Sequence, residues 1–216
     1  MELLKQDKIK LSRKDQNKRR VVQTALTLFV EKGIENTTVA EIADEAGLTE
    51  RSLFRYFDTK SDLVAAAALL MWKNVQRDVT ESCSGKINNK MCGAEQIPII
   101  LKSYAQLYFT SSKELIFIHE TEAYLYRMGK YKTISDKPPY HYNNKTSLLA
   151  NAITKGLRDG SVRADIDHTS LYYNTYDALL GIMQKMTIAN DGSKDFAILA
   201  RARINLACET IAKSFV

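Results

Sequence analysis

The 216-residue chain is predicted to be all-α, and three features of the sequence point there. Apolar residues recur at helical spacing along nearly its whole length. Only 9 Gly and 3 Pro punctuate it, too few for the many tight turns of a sandwich or barrel. Helix-start signals stand at regular intervals near the N-terminus, with Thr38 and Glu41, Thr49, and Thr59 and Asp62 each opening an apolar-periodic run.

The elements follow in order. Val22, Ala25, Leu26 and Phe29 keep the i, i+3, i+4, i+7 pattern and predict a helix from Lys14 to Lys32, with Gly33 ending it. A short helix from Val39 to Ala46 follows, then Gly47, and Thr49 caps a second short helix reaching Arg55. A long helix runs from Thr59 to Glu81, and residues 82–95 read as a polar loop. Helix resumes at Gln96 and continues to Met128 with a break at Ser111–Lys113. Gly129 to Tyr140 reads as a second loop stiffened by Pro138 and Pro139, and a helix from Tyr142 to Leu157 is ended by Gly156 and Gly160. The last two helices cover His168 to Ala189 and Ser193 to Phe215.

Composition narrows the class. At 45% hydrophobic and 26% charged, the chain has the balance of a globular protein. Its longest apolar run, Leu63 to Trp72, spans 10 residues, half of the roughly 20 that cross a bilayer. The opening residues carry no secretory pattern, so a cytoplasmic protein without a membrane partner is expected. Cys83, Cys92 and Cys208 are an odd number without CxxC spacing, which argues against a disulfide framework or a zinc ribbon. A redox pair of Cys83 and Cys92 stays open as an alternative. The net charge is +6, and residues 1–20 hold eight Lys/Arg against three Asp/Glu, the footprint of a basic arm.

No nucleophile elbow, dinucleotide fingerprint, P-loop or HExxH occurs. His119, His141 and His168 lie far apart in sequence. No catalytic residue, cofactor or metal is therefore expected, and the chain does not read as an enzyme.

Thr38 to Phe57, TVAEIADEAGLTERSLFRYF, has the pattern of two capped helices joined by a Gly-containing turn. Ile42, Ala43, Ala46, Leu48 and Leu53 brace the pair, while Thr49, Glu50, Arg51, Ser52 and Arg55 remain for an outer face that fits the major groove of B-DNA. An αα-corner within an ordinary helical binding or scaffold protein is the alternative.

The stretch from Arg19 to Val64 resembles the DNA-binding domain of the TetR family of bacterial transcriptional regulators. Ala25, Phe29, Gly33, Thr37, Thr38, Val39, Ile42, Ala43, Ala46, Gly47, Leu53, Tyr56, Phe57, Lys60 and Leu63 match the family pattern, and Leu48, Thr49, Ser52 and Phe54 replace its residues conservatively. Phe54 departs most, because the family's Tyr there carries a hydroxyl that Phe lacks. The resemblance implies residues 1–60 as an N-terminal arm and three-helix helix-turn-helix DNA-binding domain, and 61–216 as a helical ligand-binding and dimerisation domain. It implies phosphate contacts from Thr38, Tyr56 and Lys60, and base-edge positions at Ala40, Thr49, Glu50, Arg51, Ser52 and Phe54. Arg51 and Arg55 suit guanine or phosphate, and Arg13, Lys14 and Arg19 add salt-dependent attraction.

By the same resemblance the partners are a double-stranded DNA operator, a small-molecule effector and a second copy of the chain, the protein acting as a ligand-released repressor. Two apolar stripes on each of the last two helices need two burial partners, one of which can be another subunit. Tyr172, Leu179, Met183, Ile204, Cys208, Ile211 and Phe215 are therefore the candidate homodimer interface, with helices central to their own subunit's core as the alternative. Tyr104, Tyr108, Phe117, Glu120, Tyr124, Tyr176 and Met183 are the candidate walls of an effector pocket.

Overall fold

Seven of the helices begin where a short polar side chain takes up an orphan backbone N–H. The computed structural model describes residues 12–135 and 147–216. These form α1 (Arg13–Lys32), α2 (Val39–Glu45), α3 (Glu50–Leu53), α4 (Lys60–Cys83), α5 (Gly93–Ala105), α6 (Leu107–Thr110), α7 (Ser112–Arg127), α8 (Lys132–Ser135), α9 (Leu148–Asp159), α10 (His168–Ile188) and α11 (Lys194–Lys213). Ser12, Thr38, Thr49, Thr59, Ser147, Asp167 and Ser193 cap α1, α2, α3, α4, α9, α10 and α11 through their side-chain oxygens. Among the described residues no strand forms, and the only β pairing is an isolated bridge between Ser84 and Ile87.

The first three helices and the start of α4 close around one core. Val21, Ala25 and Phe29 of α1 are buried with Ile42 and Ala43 of α2, Leu53 of α3, Phe57 and Leu63. Thr37 fixes the entry to α2: its buried hydroxyl donates to the Gly33 carbonyl at 2.8 Å and lies 3.3 Å from the Leu28 carbonyl. Gly47 makes the turn between α2 and α3 at φ +65, where a Cβ is strained, and its N–H donates to the Asp44 carbonyl at 2.8 Å.

α4 runs without interruption from this unit into the larger helical domain. It packs on α1, α5, α7 and α8. α5 packs on α9 and α11, while α10 lies between α7 and α11. The tightest approach is α5 on α9. A Cβ on Gly93 would lie 2.1 Å from the Gly156 nitrogen and 2.4 Å from the Ala152 carbonyl oxygen. The Gly93 and Ala94 N–H groups donate to Asp159 Oδ2 at 2.9 Å and Ser161 Oγ at 3.1 Å.

Several boundaries differ from the sequence expectation. The second short helix stops at Leu53, and Phe54 to Tyr56 form turns in which Arg55 N bonds to the carbonyl three residues back. α5 starts at Gly93 rather than Gln96, because its first N–H groups find partners at and just past the C-terminal end of α9. The expected loop from Gly129 contains α8, anchored by buried Ile134. Within the described residues the helix expected from Tyr142 is represented by α9, which begins at Leu148 behind the Ser147 cap. Gly156 does not end it: this glycine lies inside α9 against Gly93, and left-handed Gly160 ends the helix. Pro138, Pro139, His141, the stretch 142–146 and residues 1–11 of the basic arm lie outside the described residues.

Replacing Gly93 by Ala forces α5 away from α9. The variant is expected to lose about 1–3 kcal/mol in a urea melt, as overpacking does; wild-type stability would show that the two backbones are not in contact.

Candidate nucleic-acid interface and helical effector core

The helix-turn-helix presents its polar residues outward because its apolar ones fill the core just described. Glu50, Arg51 and Arg55 are exposed, Phe54 stands 43% exposed, and Ser52, Tyr56 and Lys60 are half-buried. Thr38, Ala40 and Thr49 are exposed at or near the starts of α2 and α3. The Thr49 hydroxyl is occupied in the free chain, accepting from Ser52 N–H at 3.2 Å and donating to Ser52 Oγ at 3.0 Å. Tyr56 packs its ring on the core, so its hydroxyl is the part left for a phosphate. Arg13, Lys14 and Arg19 are exposed along α1.

None of Arg13, Lys14, Arg19, Arg51, Arg55 and Lys60 takes part in an ion pair among the described residues. Three carboxylates of the unit, Glu35, Glu41 and Asp62, are engaged by other cations. Glu41 holds Lys32, which lowers the Glu41 carboxyl and raises the Lys32 ammonium through their shared hydrogen bond. Free cations beside occupied carboxylates make a surface that attracts phosphate.

α7 fastens the larger domain to this unit at three polar points and one aromatic one. Glu120 accepts from the Ile34 N–H at 3.3 Å, in the turn between α1 and α2. Arg127 donates to Glu35 at 3.2 Å in the same turn. Just past α7, Lys130 Nζ donates to Asp62 Oδ1 at 2.6 Å and to Thr59 Oγ1 at 2.9 Å, joining the cap that starts α4. Phe117 stacks on Phe29 with ring centroids 6.1 Å apart. Lys130, Arg127 and Asp62 were not among the expected site residues. The capping role of Asp62 is legible in the sequence, whereas its partner 68 positions away is not.

The expected pocket residues separate into three places. Tyr104 and Tyr176 meet in the core of the helical domain, the Tyr176 hydroxyl donating to Tyr104 at 3.0 Å with the rings edge to face. Tyr172 adds a ring 5.0 Å from Tyr176, and its hydroxyl lies 3.2 Å from Ser147 Oγ. Burial pushes the Tyr104 phenol up to about 12 and raises those of Tyr172 and Tyr176 as well, so the cluster is neutral. Met183 and Tyr124 are buried in the same core. Phe117 and Glu120 belong instead to the seam with α1, and Tyr108 is half-buried beside Phe109, in a surface groove with Arg201.

The stripes expected to face a second copy are turned inward. Tyr172, Leu179, Met183, Ile204, Cys208 and Phe215 are all buried within their own chain and Ile211 is half-buried. Burial raises the Cys208 thiol to about 11. The physical reason is that α10 and α11 spend their broader apolar faces on α5, α7 and each other. The face left outward carries Ala178, Gly181 and Ile188 on α10, and Ile198, Leu199, Ala202 and Leu206 on α11, with Ile198 69% and Leu206 63% exposed. Cys83 is buried with its Sγ 3.3 Å from Ser103 Oγ, and Cys92 is half-buried at the start of α5. Among the described residues no group of three His, Cys, Asp or Glu could hold a metal, and no helix is long and apolar enough to cross a membrane.

An all-helical chain with a capped helix-turn-helix, unpaired cations on its outer face and a separate helical domain behind it defines a helix-turn-helix transcriptional regulator. Residues 21–67 match the family described as bacterial regulatory proteins, tetR family. The chain is 27% identical to the HTH-type transcriptional repressor KstR2 of Mycolicibacterium smegmatis over 166 residues, covering 74% of this chain and 73% of that protein. Its fold is shared by a TetR-family regulator of Mesorhizobium loti, with a TM-score of 0.67 at 19% identity over 95% of this chain and 99% of that one. It is shared also by the transcriptional regulator FadR of Bacillus subtilis, solved in complex with stearoyl-CoA, with a TM-score of 0.59 at 16% identity over 92% and 99%. Residues 21–67 are thus a TetR-family DNA-binding domain, and the relatives that match over most of the chain are transcriptional regulators.

The Asp62 carboxyl sits below its ordinary 3.8, held there first by the Lys130 hydrogen bond and then by Thr59. A carboxyl lowered in the folded state contributes stability that is complete above its unfolded pKa and is lost as the pH falls through the folded one. Lys130→Met is therefore expected to cost about 0.5–1 kcal/mol at neutral pH, with the gap to wild type closing below about pH 4. Urea melts at both ends of that range are the check; equal gaps would mean that the pair does not hold the carboxyl down.

Proposed function

We propose that the chain is a repressor that binds a palindromic operator as a homodimer and is released by a small molecule. The observation that carries this reading is the unpaired set of exposed Arg51 and Arg55 and half-buried Lys60 around a capped α3. Residues 1–60 serve as arm and DNA-binding domain, and 61–216 as the effector and dimer domain. α3 lies in the major groove with Thr49, Glu50, Arg51, Ser52 and Phe54 towards the bases and Ala40 close by. Thr38, Tyr56 and Lys60 hold phosphates, and Arg13, Lys14 and Arg19 add non-specific attraction. Phe54 supplies apolar contact only. The repressor sign is supported by the name of the mycobacterial relative.

The effector enters the core around Tyr104, Tyr172, Tyr176 and Met183. Three polar atoms in the helical domain are buried without a hydrogen-bond partner: Gln76 Nε2 on α4, Thr121 Oγ1 on α7 and Gln184 Nε2 on α10. Such atoms are costly unless a bound molecule satisfies them. With neutral phenols around it, this core suits an uncharged, largely apolar portion of a ligand bearing hydrogen-bonding groups. The FadR neighbour's complex with stearoyl-CoA supports a ligand with a long apolar part. Binding that displaces α7 reaches both the α1–α2 turn and the α4 cap, and so shifts the two reading helices relative to each other.

The dimer forms through the outward face of α10 and α11, where Leu199, Ala202 and Leu206 keep the 3–4 spacing of a helix seam. Leu206→Asp is expected to yield a monomer in sedimentation, with operator binding lost; a stable dimer would move the interface elsewhere.

In gel shifts with promoter fragments, Arg51→Ala is expected to weaken the specific site by about 1–3 kcal/mol, the worth of one base contact. Lys60→Ala is expected to weaken all DNA alike and to reduce the salt slope by about one. Unchanged retention by both variants sinks the assignment of α3 as the reading helix.

A further inference from the structure

The outer groove between α1 and α4 has the composition of an anion site with an apolar floor. It encloses about 490 Å³ and is lined by Lys18, Arg19, Arg20, Val22, Leu70 and Lys73, with Gln23 its remaining polar neighbour. Val22 and Leu70 are half-buried and form the floor. Four cations form the rim, and no carboxylate of the described residues lines it. Lys18 is spent partly on the Phe57 ring, 5.4 Å from its centroid, and Arg20 donates to Asn17 at 3.1 Å. Arg19 and Lys73 take part in no ion pair among the described residues.

A DNA backbone accounts for only part of this arrangement. Lys18 lies against Phe57, at the end of the groove nearest the helix-turn-helix. Lys73 stands thirteen residues beyond Lys60 on the same helix, about 20 Å along its axis. Phosphate recognition also gives no reason for two aliphatic side chains between the cations. A volume of this size lies within the range of small-molecule sites.

We propose that this groove binds a free anionic amphiphile, a small molecule with an acidic head and a short apolar body. Lys73 and Arg19 hold the head while Val22 and Leu70 take the body. The site is separate from the tyrosine core and does not rest on the effector reading of that core. Because Arg19 is also an arm cation, an occupant and the operator backbone compete for it, so the occupied protein holds DNA less tightly.

The test titrates the full chain with decyl phosphate below its micelle concentration by calorimetry, with inorganic phosphate as a probe of charge alone. The expected result is one site lost by at least about tenfold in both Lys73→Gln and Leu70→Gln, with inorganic phosphate at least about tenfold weaker. Lys102→Gln, on α5 outside this groove, is expected to bind as wild type does. Lys73→Gln keeps the test decisive should Leu70→Gln unfold, because Lys73 is exposed. No binding, binding indifferent to Lys73→Gln, or inorganic phosphate binding as tightly as decyl phosphate overturns the proposal. So does a loss of operator affinity in Lys73→Gln equal to that in Arg19→Gln, which would make the groove part of the DNA surface.

Discussion

The helical domain and the helix-turn-helix are joined by α4, which belongs to both, and by α7, which grips the smaller unit from the side. α4 fixes the direction in which the two halves meet, since one continuous helix of 24 residues passes between them. α7 fixes the rotation about it, holding the α1–α2 turn through Glu120 and Arg127 and the α4 cap through Lys130. The polar ties are individually weak. The Arg127–Glu35 pair is more than half exposed on both sides, and such pairs contribute at most about 1 kcal/mol. The aromatic stack of Phe29 on Phe117 adds area but little direction. Weak ties suit the movable joint that the proposed ligand release requires, because allosteric coupling typically amounts to about 1–3 kcal/mol. A seam held by ten times that energy would not respond to a ligand.

The same seam shapes the charge on the DNA-facing side. Glu35, Glu41 and Asp62 each carry a cationic partner drawn from a position that does not face the proposed duplex: Arg127, Lys32 and Lys130. Arg51, Arg55 and Lys60 are thereby left to solvent and to whatever anion approaches. Lys130 does two things at once. It bonds the Asp62 carboxylate and the Thr59 hydroxyl, so it stiffens the first turn of α4, in which Lys60 sits. A phosphate-binding lysine on a frayed turn would lose entropy on binding, and a fixed first turn removes part of that loss.

Much of this was legible in the sequence wherever the physics is local. Thr38 with Glu41 and Thr59 with Asp62 announce their helices because a capping box needs only four consecutive residues. Gly47 announces its turn for the same reason. The apolar stripes of α10 and α11 announce burial, but not by what. Tyr172, Leu179, Ile204 and Cys208 are inward because each helix meets its own chain first, and the narrower stripe of Leu199 and Leu206 is the remainder. Gly156 misleads because a helix-ending glycine and a glycine that lets another backbone approach have the same letter; only α5 tells them apart. Lys130 lay in an apparent loop, and its partner stands 68 positions earlier. Pocket residues were hardest, since Phe117 and Tyr104 carry equal aromatic character and face different neighbours.

The brevity of α3 bears on the proposed pairing of two chains. Four residues make little more than one helical turn, so a single α3 offers only a few side chains to base edges. Sequence selectivity beyond a few base pairs then comes from two copies at a fixed separation, about one turn of the duplex apart. In the proposed dimer that separation is set by α10 and α11, far from the DNA, and is carried to the surface by α4. At 24 residues α4 is about 36 Å long, and a tilt of about 5° displaces its end by about 3 Å. Such a displacement is comparable to the rise of one base pair, so it suffices to put one reading helix out of register while the other is seated. In the proposed mechanism a small expansion around Tyr104 and Tyr176, passed through α7 to the base of α4, would thus be large enough in geometry and small enough in energy to release an operator.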